Sequence, residues 1–152
     1  MFYYALFVII IGLDQLTKAL VQRGLALYQT VTVIPGVLSF TRINNPGAAF
    51  GILSHRTSFL TLLPLVLFLL VFLFRRQLGR YPFPFRFGLA LCLGGAAGNL
   101  IDRLGNSGQV IDFVDLDFWP LVDFPLFNLA DTAIFIGALI IFFSVVRLKD
   151  ER

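Results

Sequence analysis

The residues of this chain that could do chemistry are few, and most of them are carboxylates. The run Gly94-Gly95-Ala96-Ala97-Gly98-Asn99-Leu100-Ile101-Asp102-Arg103 places Gly95, Asn99 and Asp102 at i, i+4 and i+7, one polar stripe on a helix, with Arg103 beside it. Downstream, Val110-Ile111-Asp112-Phe113-Val114-Asp115-Leu116-Asp117 sets three acids among apolar residues, and Phe127-Asn128-Leu129-Ala130-Asp131-Thr132 puts Asn128 and Asp131 on one helical face. Two carboxylates brought within ~3 Å cannot both ionise, so they share a proton. One then acts as base on a water while the other protonates a carbonyl oxygen, which is peptide hydrolysis without metal or cofactor. Asn and Arg side chains nearby are suited to holding a peptide backbone. Structural readings stand beside this one. Asp131 falls in a first helical turn, where the helix dipole favours an anion, and the Asn99 stripe equally suits interhelical hydrogen bonds. Asp14 and Lys18, spaced i, i+4, read as a buried pair that fixes helix packing.

Other chemistries are poorly supplied. A single histidine, His55, excludes H-E-x-x-H and any multi-histidine metal site, and a single cysteine, Cys92, excludes an intrachain disulfide. Cys92 sits in an apolar run and reads as a packed thiol, and His55 reads as a loop residue. Gly105-Asn106-Ser107-Gly108 matches the short G-x-S-G pattern of membrane serine proteases. Its only histidine partner would be His55, which precedes the second apolar span, and Lys18 already has Asp14.

The elements that must position these groups are membrane helices. Of 152 residues, 58% are hydrophobic and 14% charged, with mean hydropathy +0.87, against roughly half and a quarter in soluble domains. The net charge of +3 is too weak to suggest nucleic acid. Crossing a ~30 Å hydrocarbon core takes ~20 helical residues, and four apolar runs qualify: 3–23, 57–74, 85–104 and 127–147. The first has no basic n-region and no small-residue cleavage site, and reads as a retained helix. The fold class expected is an all-α membrane protein, one domain over 1–152, with four transmembrane helices, a small β-hairpin and an extended second outer loop. Gly94 and Gly98 form a small-residue ridge that admits a neighbouring helix.

Arg75, Arg76, Arg80 and Arg86 between spans two and three, with Arg147, Lys149 and Arg152 in the tail, gather on one side, which should be the cytoplasm. Both termini are then inside, and the loops 24–56 and 105–126 face outward. In the first of these, Thr30–Ile34 and Val37–Arg42 flank Pro35-Gly36 as a hairpin. The turn Asn44 to Gly51 follows, rich in small residues, and the two together are expected to cradle or cover a cleft.

Taken together, Asp14-Gln15-Leu16-Thr17-Lys18, Asn45-Pro46-Gly47-Ala48-Ala49-Phe50, Gly98-Asn99-Leu100-Ile101-Asp102-Arg103, Val110-Ile111-Asp112-Phe113 and Phe127-Asn128-Leu129-Ala130-Asp131 give the chain a resemblance, over essentially its whole length, to the lipoprotein signal peptidases (signal peptidase II). The resemblance implies a bacterial inner-membrane aspartyl peptidase that needs no metal or cofactor. It would remove the signal peptide of diacylglyceryl-modified prolipoproteins, cutting before the lipidated cysteine. Asp112 and Asp131 would be the catalytic pair, with Asn99 and Arg103 clamping the substrate backbone, Asn128 beside the dyad and Asn45 reaching in from the outer loop. Asp102 would orient Arg103 or its neighbours, and Asp14 with Lys18 would support the fold. Membrane lipids would be the other partner, no nucleic acid is expected, and the chain would act as a monomer sensitive to globomycin. The rival readings are a small proton- or ion-coupled transporter and a non-catalytic anchoring subunit. A transporter relay should spread acids across the bilayer depth, whereas Asp102, Asp112 and Asp131 are expected near one face.

Overall fold

The structure is a computed structural model that describes residues 2–47, 56–121 and 124–150. In chain order its elements are helix α1 (Phe2–Gly24), strands β1 (Thr30–Ile34) and β2 (Leu38–Asn45), helix α2 (Thr57–Leu73), the short helix α3 (Arg75–Leu78), helix α4 (Phe83–Gly105), strand β3 (Val110–Leu116) and helix α5 (Leu129–Asp150). Three of the helices, α1, α4 and α5, are long and apolar enough to cross a membrane. The apolar helix α2 has 17 residues, about 25 Å of helix, at the short end of what can cross.

The helices are inside out by the standards of a water-soluble protein. On α1 the buried residues are Asp14 and Lys18, while Tyr4, Val8, Ile9, Leu16 and Leu20 lie on the outside. That arrangement is stable only where hydrocarbon covers the outer face and the polar groups satisfy one another within. Helix α4 is the centre of the bundle, burying Gly88, Gly94, Gly95, Gly98, Asn99 and Asp102 among others.

Small residues let the neighbours come close. A methyl on Gly94 would meet Ile10 of α1 at 2.8 Å, and one on Gly98 would strike the Asp14 carboxylate, so the Gly94/Gly98 ridge is where α1 docks. The other edge of α4 receives α5: a methyl on Gly95 would strike the Ala130 carbonyl, and one on Gly88 would lie 2.6 Å from the Gly137 carbonyl. Gly95→Ala should therefore force α4 and α5 apart and lower stability by about 1–3 kcal/mol. Gly12→Ala, where nothing lies within 4 Å, should be neutral or slightly stabilising, because alanine is the better helix former. Thermal unfolding of the two variants in one detergent makes the comparison.

At the end of the bundle where α1 and α4 finish and α5 begins lies a three-stranded antiparallel sheet in the order β1-β2-β3. The hairpin β1–β2 turns at Pro35-Gly36, with Gly36 at φ 70°, a left-handed position that suits glycine. Arg42 ties the hairpin to the bundle: its guanidinium donates to the carbonyls of Leu25 (2.8 Å) and Gln22 (3.2 Å) at the C-terminal end of α1, where a cation complements the helix dipole.

One expectation needs correction. The chain is not all-α with an isolated hairpin, because the segment expected as an extended outer loop supplies the third strand, with Ile43 opposite Asp112 and Asn45 opposite Val110. The strand escapes a search for alternation because Val110, Ile111, Asp112 and Phe113 are all buried. Of its acids, Asp115 accepts from Thr41 Oγ1 (2.8 Å), and Asp117, just past the strand, accepts from Ser39 Oγ (2.5 Å), so both are cross-strand fasteners to β2. Asp112, of opposite parity, faces the other side of the sheet.

Candidate active site

Strand β3 passes directly to the start of α5. Phe127 exchanges backbone hydrogen bonds with Val114, and its carbonyl also accepts from Phe113 N, so Asn128 is delivered beside Asp112. Asn128 then opens α5 with a reciprocal cap: its Oδ1 accepts from Asp131 N (2.9 Å), and Asp131 Oδ2 accepts from Asn128 N (3.2 Å). This is the capping-box exchange, made here with Asn and Asp. The sequence N-x-x-D thus both starts a helix and fixes one oxygen of Asp131.

The other oxygen, Asp131 Oδ1, accepts from Asn99 Nδ2 of α4 at 2.8 Å. Asp112 is held in the same style, with Oδ1 accepting from Asn128 Nδ2 (2.7 Å) and Oδ2 from Asn45 Nδ2 at the end of β2 (2.8 Å). Asn128, fully buried, therefore bonds both carboxylates, one through its side chain and one through its backbone. Asp112 is 2% exposed. Burial, and next the neighbouring charge of Asp131, push its carboxyl up to about 7, against the pull of the Asn45 and Asn128 hydrogen bonds and the Lys18 charge.

Behind this pair is a fully internal ionic cluster. Lys18 Nζ lies 2.8 Å from both Asp14 Oδ2 and Asp102 Oδ2 and donates to Asn99 Oδ1 at 2.9 Å. Asp14 Oδ1 accepts from Ala130 N (3.0 Å), and Asp102 Oδ2 accepts from Ile111 N (3.1 Å), so the cluster on α1 and α4 grips both elements that carry the dyad. Gln15 Nε2 completes it, donating to Asp102 Oδ1 (2.9 Å) and Gly98 O (3.1 Å). The expected Asp14–Lys18 pair is present but is part of a triad. Among the described residues, the hydrogen bonds of Asp102 go to Lys18, Gln15 and Ile111.

Arg103 reaches out from α4, donating from one terminal nitrogen to Gly47 O at 3.2 Å, while its buried Nε has no hydrogen-bond partner among the described residues. A cavity of about 670 Å³ opens here. Its polar end is formed by Asn45, Asn99, Arg103, Asp112 and Asp131, and its apolar walls by Leu116, Phe124, Phe127, Ile134 and Phe135. A peptide could lie against the first surface and a hydrocarbon chain along the second.

The structure thus brings together Asn45, Asn99, Arg103, Asp112, Asn128 and Asp131, and sets Asp14, Lys18 and Asp102 behind them. It keeps Cys92 apart, where the thiol donates to Ile134 O at 3.4 Å between α4 and α5, as a packed thiol would. Ser107 occupies the turn after α4 and lines a different groove, with Thr57 and Thr61. His55 and the Ala48–Gly51 part of the small-residue turn lie outside the described residues. Gln15 is not among the expected site residues, although a glutamine inside an apolar span is itself a signal. The Gly47 carbonyl has no side-chain signature to find.

Helices with apolar exteriors, an internal ionic core and two carboxylates, Asp112 buried and Asp131 half-buried, at one cavity match what a membrane-embedded hydrolase of the aspartic type requires. Comparison with known proteins makes the class specific. The family model described as Signal peptidase (SPase) II matches residues 6–147. The lipoprotein signal peptidase of Geobacter metallireducens is 41% identical over 143 residues, covering 92% of this chain and 86% of that one. That of Brevibacillus brevis is 40% identical over 145 residues, covering 95% of each. A solved structure titled as a bacterial membrane enzyme superposes with a TM-score of 0.89 at 29% identity, covering 99% of this chain and 90% of that one. The chain belongs to the signal peptidase II family. It is a hydrolase of that aspartic-type family, and the transporter alternative has no support among these relatives.

Proposed function

We propose that Asp112 and Asp131 are the catalytic pair of a lipoprotein signal peptidase that cuts diacylglyceryl-modified prolipoproteins just before the lipidated cysteine. The observation that carries this reading is the convergence of the two carboxylates, delivered by β3 and α5, at the polar end of one cavity. Asp131 lies in the first turn of α5, where the positive end of the helix dipole favours an anion, and this suits it to hold the negative charge. Asp112 keeps the proton.

In the reaction, Asp131 takes a proton from a water as its oxygen attacks the scissile carbonyl carbon, and Asp112 gives its proton to the carbonyl oxygen. The tetrahedral diol collapses with cleavage of the C–N bond. The proton held by Asp131 goes to the leaving amine, and the hydroxyl proton returns to Asp112, so the pair is regenerated. Asn45, Asn99 and Asn128 hold the two carboxylates in place, and Arg103 and Asn99 bind the peptide backbone. The apolar wall of the cavity suits the acyl chains, which stay in contact with membrane lipid.

The same reading takes the chain as a single membrane domain over 1–152 that works as a monomer with four spans, α2 being the short one. Arg75, Arg76, Arg80, Arg86, Arg147, Lys149 and Arg152 support a placement with both termini in the cytoplasm. The site then sits at the outer face of the bacterial inner membrane, with the sheet as a cradle over it, where a lipid-anchored cysteine arrives.

The test is the pH dependence of signal-peptide release. The general acid must be protonated, and the Asp112 carboxyl is raised to about 7. Activity should be sustained below that value and decline as pH rises through it. A rate that stays flat from pH 6 to about 9 would contradict Asp112 as the acid. Globomycin should block the release.

A further inference from the structure

Lys18 is 1% exposed and is hydrogen-bonded to Asn99, which in turn bonds Asp131. Its ammonium has three protons and meets three acceptors: Asp14 Oδ2 at 2.8 Å, Asp102 Oδ2 at 2.8 Å and Asn99 Oδ1 at 2.9 Å. The first lies within α1, and joining α1 to α4 needs only the second. The third has a different consequence, because an ammonium donates and cannot accept, so the amide atom that faces it must be the oxygen. Asn128 Nδ2, 3.1 Å from the same oxygen, is a second donor with the same requirement. With Oδ1 held by two donors, Asn99 has only its Nδ2 to present to Asp131 Oδ1, at 2.8 Å.

We propose that Lys18 is a positioning residue of the hydrolytic site: by fixing which way the Asn99 amide points, it presents an N–H to Asp131 and holds that carboxylate in its ionised, water-activating form. Turned over, the amide would place its oxygen against the Asp131 carboxylate, which repels the charge and favours a proton there. Among the described residues, Asn99 is the member of the cavity lining to which Lys18 is hydrogen-bonded, so its effect should appear in kcat and in the pH profile and not in substrate binding. The charged groups that surround the dyad are Asp14 and Lys18 from α1, Asp102 and Arg103 from α4, and Asp112 and Asp131 themselves; β2 contributes the neutral Asn45.

The proposal rests on the dyad reading, and its test separates the two. Lys18→Met alone would leave two carboxylates buried without their cation, so the informative variant is Asp14→Asn with Lys18→Met. Asp14, Lys18 and Asp102 together carry one net negative charge. The double variant keeps that charge on Asp102, which retains Gln15 and the Ile111 N–H. Asp14→Asn alone keeps the ammonium on Asn99 and removes a negative charge.

In the double variant the acid limb of kcat/KM, which reports the base Asp131, should move to higher pH by about one unit, with kcat at the wild-type optimum down about 10-fold or more and KM within about 2-fold. In Asp14→Asn the limb should stay or move to lower pH. An infrared titration of the carboxyl C=O band, assigned through Asp131→Asn, reads the same displacement without turnover, so an inactive double variant still reports. If the limb and the infrared titration of the double variant coincide with wild type and activity falls only in proportion to thermal stability, Lys18 serves packing alone and the proposal fails. If Asp131→Asn cleaves at the wild-type rate, it is the dyad reading that fails.

Discussion

Asp131→Asn and Asp112→Asn should each lower the rate of signal-peptide release by about 10³- to 10⁴-fold with KM little changed. The first removes the base that takes the proton from water, and the second removes the acid that protonates the carbonyl oxygen. Both replacements are isosteric. In Asp131→Asn the remaining carbonyl oxygen can still accept from Asn128 N, which keeps the cap that starts α5, but the new amide N–H₂ meets the Asn99 Nδ2 donor, at some cost in stability. In Asp112→Asn the new amide N–H₂ enters a pocket whose other contents, Asn45 Nδ2 and Asn128 Nδ2, are also donors. One of those amides must turn over, so this variant should lose some stability as well. Because the two carboxylates act as a unit, the double variant should be scarcely slower than either single one. The measurement is initial rate against substrate concentration for all three proteins, with thermal unfolding alongside. Additive losses, or either single variant at the wild-type rate, would contradict a cooperating pair.

Lys18→Ala should be the most destabilising polar substitution in the chain, by about 3–5 kcal/mol. It strips the cation from Asp14 and Asp102, which are then buried carboxylates facing each other across the α1–α4 contact. Asp14 and Asp102 also hold the backbone N–H groups of Ala130 and Ile111, so the damage reaches the first turn of α5 and strand β3 together. Removing Asp14 at the same time should recover much of the loss, since a missing pair costs less than a broken one. Unfolding of the single and double variants in the same detergent decides the matter. A Lys18→Ala protein within about 1 kcal/mol of wild type would mean that water or headgroups reach the cluster, contrary to the burial of Asp14 (0% exposed) and Lys18 (1%).

Much of this was legible in the amino-acid sequence because a bilayer leaves polar residues nowhere to hide. The helices follow from apolar runs, and their boundaries in the structure lie within a few residues of those runs. Asp14 and Lys18 stand out through spacing alone, and so does the Gly94/Gly98 ridge, each being a matter of 3.6-residue geometry within one helix. Contacts between distant segments are not legible in this way. Nothing local says that Lys18 meets Asp102, that Asp14 meets the N–H of Ala130, or that Asp112 lies opposite Ile43 in a sheet. Strand β3 is hidden for a second reason: with Val110 through Phe113 buried on both faces, the two-residue period that marks a half-exposed strand is lost. The N-x-x-D cap at 128–131 is visible in principle as a helix start. Its second use, bonding both carboxylates through one asparagine, depends on where β3 delivers Asp112.

The central claim is that this cavity hydrolyses one bond of a lipid-modified peptide. The most direct test incubates the purified protein, in detergent or lipid, with a prolipoprotein that carries or lacks the diacylglyceryl group, and determines the released peptide by mass. The account predicts a single peptide ending at the residue before the lipidated cysteine, released rapidly from the modified substrate and poorly from the unmodified one. Equal cleavage of the two, cleavage at another bond, or no release by the wild-type protein would contradict it.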